Sequence, residues 1–125
     1  MYKPTKSRSS GSFSWVFQRI SGLVLVVMMI SHYILMHYNP ESGHTYDAVL
    51  ARMQSNWYRI FDLTFLVLGM YHGLNGIWGI FRDYELKTWQ SYLIIGFLLI
   101  SGLSFTIWGI KTIFDIPYVN NISGI

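Results

Sequence analysis

The sequence predicts an all-α membrane protein with three transmembrane helices. Of the 125 residues, 52% are hydrophobic and only 12% are charged, whereas a soluble domain carries about a quarter charged residues. The mean hydropathy is +0.35. Three apolar stretches approach or reach the roughly 20 residues that a helix needs to cross a bilayer. In such a protein, the pI near 9.3 reflects membrane topology rather than nucleic-acid binding.

Changes in hydropathy and charge divide the chain into alternating polar and apolar segments. They are a basic polar N-terminal arm (1–14), the first span (15–38), an external loop with a short amphipathic segment (39–56), the second span (57–81), a cytoplasmic loop (82–90), the third span (91–114) and an external tail (115–125).

Aromatic residues mark where the first two spans begin. Trp15 and Phe17 open the first span, and Trp57 and Tyr58 open the second, because aromatic rings favour the headgroup region. The first span is too long and too deep in the chain for a cleaved signal peptide. Between them, Tyr46–Met53 predicts an amphipathic segment that lies along the surface. The third span is apolar, and its predicted packing points are Gly96, Gly102 and Gly109.

The basic residues predict that the N-terminus lies in the cytoplasm. Cytoplasmic segments of membrane proteins carry an excess of Lys and Arg. This orientation places six of the nine basic residues inside (Lys3, Lys6, Arg8, Arg19, Arg82 and Lys87) and three outside (Arg52, Arg59 and Lys111). We therefore expect an integral multi-pass protein of a prokaryotic cytoplasmic membrane. Since three spans scarcely enclose a cofactor, we also expect partner helices from another chain.

His72 is the most informative residue of the second span. Gly69, Gly76 and Gly79 lie on its helix face. An ionisable side chain inside a bilayer is costly and usually functional, and the glycines leave a slot that a planar group or another backbone can approach. A neutral imidazole there suits an axial haem ligand. The alternative is a packing face of Gly69 and Gly73, with His72 hydrogen-bonded to a neighbouring helix. The stripe alone favours neither interpretation.

His32 is the second candidate ligand, although a role in packing is equally open. His44 is expected to be solvated, and His37 to lie at the interface. The predicted depths of His32 and His72 differ by roughly 10 Å. Two axial nitrogens on one iron lie only about 4 Å apart, so these histidines should not bind the same haem. Either each pairs with a histidine of a partner chain, or only one is a ligand.

Asp83 and Tyr84 follow the second span at its cytoplasmic end. An acid beside a phenol at this boundary could bind a quinone carbonyl and deliver protons. The plainer interpretation, an interfacial tyrosine next to a helix-terminating aspartate, is favoured by position alone. The absence of cysteine excludes disulfides, thiolate metal sites and cysteine nucleophiles.

Two motifs resemble the hydrophobic membrane-anchor family of succinate dehydrogenase (succinate:quinone oxidoreductase, respiratory complex II), a cytochrome b type of anchor. Residues 15–22 (WVFQRISG), followed by His32, resemble the first helix of that family. Residues 72–76 (HGLNG), followed by Arg82, Asp83 and Tyr84, are similar to its second helix. The length, the three spans and the predicted orientation also fit, so the resemblance covers nearly the whole chain.

The resemblance implies specific roles. It makes His72 a haem b axial ligand, places Arg19 near the haem propionates, and puts Tyr84 against quinone with Asp83 beside it. His32 matches a histidine of related subfamilies, some of which carry two haems. One or two haems b, shared with a second membrane anchor subunit, and quinone as substrate are thus expected.

The resemblance also implies an iron–sulfur subunit and a flavoprotein subunit as partners. These perform the succinate chemistry, for which this chain has neither a nucleotide fingerprint nor cluster-binding cysteines. It therefore has no complete active site of its own and is expected to be a non-catalytic subunit. The alternatives are a non-haem structural membrane subunit and a cytochrome b subunit of another quinone-linked dehydrogenase.

Overall fold

The described part of the chain consists of helices, three of which are long and apolar enough to cross a membrane. The computed structural model describes residues 12–38 and 43–119. Its helices are α1 (Ser12–Tyr38), α2 (Tyr46–Met53), α3 (Asn56–Arg82) and α4 (Thr88–Asp115), and these ranges contain no strand. The candidate spans are Phe13–Tyr38, Asn56–Arg82 and Thr88–Asp115. The predicted three-span helical membrane fold is confirmed. The basic residues predicted for the arm (Lys3, Lys6 and Arg8) lie outside the described residues.

Helix α3 is the centre of the bundle, since each of the other helices packs against it. Along the contact with α1, Gly22 faces His72 and Leu25 faces Gly69. This antiparallel arrangement brings the start of α1 to the end of α3. That end of the bundle, which is the predicted cytoplasmic end, carries both motifs identified from the sequence.

Leucine side chains of α3 pack against glycines of α4. Leu74 packs against Gly102, and a Cβ atom added to Gly109 would lie 2.7 Å from Leu66 Cδ2. These two predicted packing points are therefore confirmed. At Gly96 an added Cβ atom would meet no atom of another described helix within 4 Å, so packing at Gly96 stays a prediction.

The amphipathic segment forms α2 with the predicted bounds. Thr45 caps it, since its side chain accepts a hydrogen bond from the Ala48 N–H at 3.3 Å. Arg52 and Met53 are buried at the other end. Arg52 Nη2 donates to the carbonyl of Gly43 at 2.9 Å, and Gly43 adopts a φ of 112°, which favours glycine.

Arg59 joins three helices at the end of the bundle opposite the two motifs. Its guanidinium donates to the carbonyls of Met53 (2.6 Å), Ile113 (3.1 Å) and Ile116 (2.7 Å). Met53 and Ile113 belong to the last turns of α2 and α4, and Ile116 is the C-cap of α4. At such helix ends, backbone acceptors lack helical partners and the helix dipole favours a cation. The guanidinium also stacks on Tyr118 at 3.9 Å. Arg59 is only 4% exposed.

Most large apolar side chains of α1 and α4 point away from the bundle. Leu23 of α1 is 70% exposed, and Phe97 of α4 is 72% exposed. Among the described residues, the buried apolar side chains are Met28, Met53 and Ile113. A surface of this kind suits lipid tails and the helices of other subunits.

Candidate functional site

The two sequence motifs meet at His72. Gly22 of α1 lies against the imidazole ring, and a Cβ atom added there would be 2.9 Å from His72 Cε1. Any side chain at this position would displace the ring. Gly22 is therefore the reason that a partly buried imidazole fits between α1 and α3.

Ser21 holds one nitrogen of that ring. Its Oγ lies 3.1 Å from His72 Nδ1 and also donates to the Gln18 carbonyl at 3.1 Å. Ser21 is only 1% exposed. Within the described part of the chain, His72 Nε2 has no hydrogen-bond partner. The histidine therefore has one nitrogen that is held and one that is available to a ligand.

Gln18 fixes α1 to the backbone of α3 at the same level. Its Nε2 donates to the His72 carbonyl at 3.0 Å, and its Oε1 accepts from Asn75 Nδ2 at 2.7 Å. Gly76 makes room for the amide, since a Cβ there would lie 3.4 Å from Gln18 Nε2. Hydrogen bonds between helices in an apolar bundle hold a defined register.

Arg19 and Arg82 line a recess of about 170 Å³ at the start of α1. Gly76 and Gly79 also line it. The Arg19 guanidinium stacks on Trp15 at 3.7 Å, and both arginines are exposed. Neither forms an ion pair with a described residue. The recess therefore offers two cations to an anionic group.

His32 lies in a separate groove of about 470 Å³ between α1, α3 and α4. Its ring stacks on Phe65 with the centroids 5.7 Å apart. Phe65 precedes His72 by two helical turns, or about 10 Å along α3. The two histidines thus lie in different sites. Asp62 also lines the groove, and its Oδ1 is buried without a hydrogen-bond partner among the described residues.

Asp83 and Tyr84 lie just beyond α3. Asp83 is the C-cap, and its N–H reaches the Ile80 carbonyl at 3.1 Å. Tyr84 is 66% exposed. Both line a polar recess of about 280 Å³ with Trp78, Arg82 and Ser91, among others. In the described part of the chain, neither side chain forms a hydrogen bond, so both polar groups are available.

The remaining histidines have local explanations. His37 Nδ1 lies 2.9 Å from the Tyr33 carbonyl one turn earlier, and His44 is exposed. The described residues contain no group of three or more His, Cys, Asp or Glu that could hold a metal ion. A metal centre at His72 therefore needs a ligand from outside these residues.

Several residues that contribute to these sites could not be identified from the sequence. Gln18 and Ser21 belong to the motif of residues 15–22, but nothing in the sequence indicates that either contacts His72. Asp62 could not be singled out, because one carboxylate barely lowers the mean hydropathy of a span. Arg59 was counted only as a charge that sets topology. For Gln18, Ser21 and Arg59, no sequence signal identifies the partners, which lie on other helices.

Comparison with known proteins gives two matches. A family model described as "Succinate dehydrogenase/Fumarate reductase transmembrane subunit" matches residues 2–110. The succinate dehydrogenase hydrophobic membrane anchor subunit of Halobacterium salinarum is 29% identical over 76 residues. That alignment covers 60% of this chain and 58% of the relative, so it spans little more than half of the relative's length.

Proposed function

This chain belongs to the succinate dehydrogenase/fumarate reductase transmembrane subunit family, and on that premise we propose that it binds haem b through His72 and quinone beside Tyr84. The family makes it a membrane anchor subunit of such a complex. In this proposal the anchor carries electrons from the iron–sulfur subunit to quinone in the membrane. The family match also favours this function over a cytochrome b subunit of another dehydrogenase.

One observation carries the proposal, namely the state of the His72 ring. Nδ1 is 3.1 Å from Ser21 Oγ, while Nε2 has no partner among the described residues. A neutral imidazole with one nitrogen held and the other free is the form that ligates iron. Gly22 leaves the room that the ring itself occupies between α1 and α3. When bound, haem supplies one-electron redox chemistry at this level of the membrane.

Any second protein residue that would hold the haem iron would come from another chain in this proposal. His32 lies in its own groove, about 10 Å along the bundle, too far to share an iron. The second anchor subunit, with its own helices, is the expected source. It would also cover the exposed apolar faces of α1 and α4.

Arg19 and Arg82 support this placement of the haem. They line the recess that begins one turn beyond His72, over Gly76 and Gly79. Two guanidiniums are suited to hold the carboxylates of haem propionates by charge-assisted hydrogen bonds. In this role, Arg19 finds the anionic partner that its position near the span requires.

His32 extends the proposal to a second haem nearer the opposite surface. It lines a groove of about 470 Å³ that Asp62 also lines. A carboxylate near a ligating histidine commonly orients the ring. Haem content of the intact complex tests this directly: we expect two haems, and one in His32→Leu. A single haem that this change leaves intact would assign His32 to packing.

Quinone is proposed to bind in the recess at the end of α3. A quinone is lipid-soluble but must exchange protons at a polar boundary, and this recess is such a boundary. The Tyr84 hydroxyl can donate to a quinone carbonyl, and Asp83 can supply protons. Tyr84 lies about three helical turns, or roughly 17 Å, from His72 along the axis.

A structural subunit without haem is the second candidate function, and one observation favours it. The His72 ring already has a hydrogen bond to a neighbouring helix, through Ser21. The ring also fills the space beside Gly22. In this alternative the polar contacts around His72 would serve only to join α1 to α3.

The two functions are separated by the reduced-minus-oxidised spectrum of the purified intact complex. His72→Ala should remove or strongly perturb one haem b signal while the complex still assembles. His44→Ala is the matched control, because His44 is an exposed loop histidine. If the assembled His72→Ala complex has an unchanged spectrum, His72 does not bind haem, and the function as a structural subunit is the one supported. Loss of signal in both variants would point to general misassembly and contradict a specific role for His72.

A further inference from the structure

Ser21 is buried more completely than the residues around it in the membrane-spanning part of α1. Its side chain is 1% exposed, although a hydroxyl in an apolar setting is costly unless it is hydrogen-bonded. Two polar groups lie within reach of Oγ: the Gln18 carbonyl and His72 Nδ1, each at 3.1 Å. The position of Ser21 is therefore coupled to the state of the His72 ring.

Counting protons assigns the direction of these bonds. A serine hydroxyl has one proton to donate and lone pairs to accept. Both contacts are hydrogen bonds at the same time only if the hydroxyl proton goes to the Gln18 carbonyl, which can only accept. The bond between Oγ and Nδ1 then requires a proton on Nδ1. A neutral ring with its proton on Nδ1 has an unprotonated Nε2.

We propose that Ser21 is a positioning residue that fixes the Nδ1–H tautomer of His72 and so presents Nε2 to the haem iron. This inference rests on the proposed function and adds the residue that prepares the ligand. The residue that holds the second nitrogen of a metal-ligating histidine sets both its tautomer and its basicity. Gln18 assists through the backbone, because its Nε2 holds the His72 carbonyl at 3.0 Å.

We expect the hydrogen bond that Ser21 Oγ accepts from His72 to lower the midpoint redox potential of the haem. A hydroxyl oxygen that accepts a hydrogen bond from Nδ1–H makes the imidazole a better electron donor to iron. A stronger donor favours the ferric state. Removing this acceptor weakens that effect, so the midpoint potential should rise. The preference for the correct tautomer is lost as well, and haem affinity should fall roughly 10- to 100-fold.

The experiment compares the intact complex with Ser21→Ala, Ser21→Thr and Ser31→Ala. Ser21→Thr keeps the hydroxyl. Ser31→Ala is the matched control on the same helix, because the Ser31 hydroxyl bonds only its own helix, to the Val27 carbonyl at 2.9 Å. We expect Ser21→Ala to raise the midpoint potential and weaken haem retention, and the other two variants to behave like the wild type.

Two results would overturn the inference. One is a Ser21→Ala complex with the potential and haem retention of Ser31→Ala. The other is an equal change in Ser21→Ala and Ser21→Thr, which would show that volume matters rather than the hydroxyl. If Ser21→Ala does not assemble, Ser21→Cys replaces it, because a thiol has nearly the size of the hydroxyl but is a weak acceptor.

His72→Ala, measured in parallel, separates this inference from the function on which it rests. If haem is lost in His72→Ala but Ser21→Ala matches the wild type, only the role of Ser21 fails. If haem content is unchanged in His72→Ala, the ligand assignment itself fails, whatever the Ser21 variants do.

Discussion

Arg59 and His72 are both polar side chains placed between helices of one membrane bundle, yet they use their hydrogen-bonding groups differently. Arg59 distributes its guanidinium over three backbone carbonyls and is 4% exposed. His72 has one nitrogen bonded to Ser21 and one without a partner among the described residues. The first arrangement is complete within the chain, whereas the second has capacity for an external group.

This difference gives a criterion for interpreting polar residues in membrane helices. A polar group in an apolar environment costs free energy unless its partners are present. A residue whose partners all lie within the chain is explained by folding alone. A residue with unused capacity, near a glycine that makes room for it, is a candidate for binding. Stability should therefore depend on Arg59 and haem content on His72.

Replacing Arg59 should have the largest effect on stability. Arg59→Met leaves three carbonyls without their donor, two of them in buried contacts, which should lower the free energy of unfolding by about 3–5 kcal/mol. Denaturation of the purified complex with a strong detergent measures this. Haem content per assembled complex should not change, because the ring at His72 keeps its contacts.

Lys111→Met is the control for that experiment. Lys111 pairs with Asp115 on the exposed surface of α4, and such a pair contributes about 0.5 kcal/mol or less. An Arg59→Met complex as stable as Lys111→Met, or one that loses haem selectively, would break the contrast between the two regions.

Adding a methyl group at Gly22 should affect the region around His72 rather than the region around Arg59. In Gly22→Ala the new Cβ would lie 2.9 Å from His72 Cε1, so the ring must move. Helix propensity favours alanine over glycine by about 1 kcal/mol, which offsets part of the steric cost in folding. We expect a loss of haem with little loss of stability, measured by the haem-to-protein ratio.

Gly73→Ala is the matched control, one residue from His72 on α3. Its Cβ position has no other described atom within 4 Å, and it gains the same helix propensity. Equal haem contents in the two alanine variants would mean that Gly22 does not shape a haem site.

Replacing Tyr84 should have the smallest effect, confined to one activity. Tyr84→Phe removes a hydrogen bond worth about 1–3 kcal/mol in a partly dry recess, so quinone reduction should slow by about 5- to 150-fold. Electron transfer from succinate to a soluble artificial acceptor should be unchanged. Tyr92→Phe, a 72% exposed tyrosine on α4, is the control.

The outcomes for Tyr84 separate three roles. Loss of both activities would show that the residue supports assembly. If neither activity changes, Tyr84 is an ordinary interfacial tyrosine, and quinone binds on the partner subunits.

The spans and the short amphipathic helix could be predicted from the sequence, because each depends on local composition. Long apolar segments must form helices in a bilayer, and the bounds of α2 follow from the pattern of Tyr46–Met53. Two glycines of the predicted stripe, Gly69 and Gly76, lie opposite side chains of α1, whereas the Cβ position of Gly79 has no atom of another described helix within 4 Å. Packing at Gly96 stays a prediction, because a glycine in a span need not face a helix of its own chain.

The contacts that define the site could not be predicted, because they depend on helix register. Ser21 and His72 are 51 positions apart, and Gln18 and Asn75 are 57 apart. Sequence alone does not fix which residues of two helices face each other. For the same reason, Arg59 was identified as a charge but not as the junction of three helices. The predicted roles of all the site residues remain predictions (His72, His32, Arg19, Asp83 and Tyr84).

The most direct test of the free nitrogen is chemical rescue of His72→Gly in the intact complex. Removing the ring opens a space beside Gly22 that added imidazole can fill. The proposed ligation predicts that His72→Gly lacks one low-spin haem b spectrum and that imidazole restores it, while methanol at the same concentration does not. A His72→Gly complex that retains the wild-type haem spectrum before any imidazole is added would contradict ligation by His72.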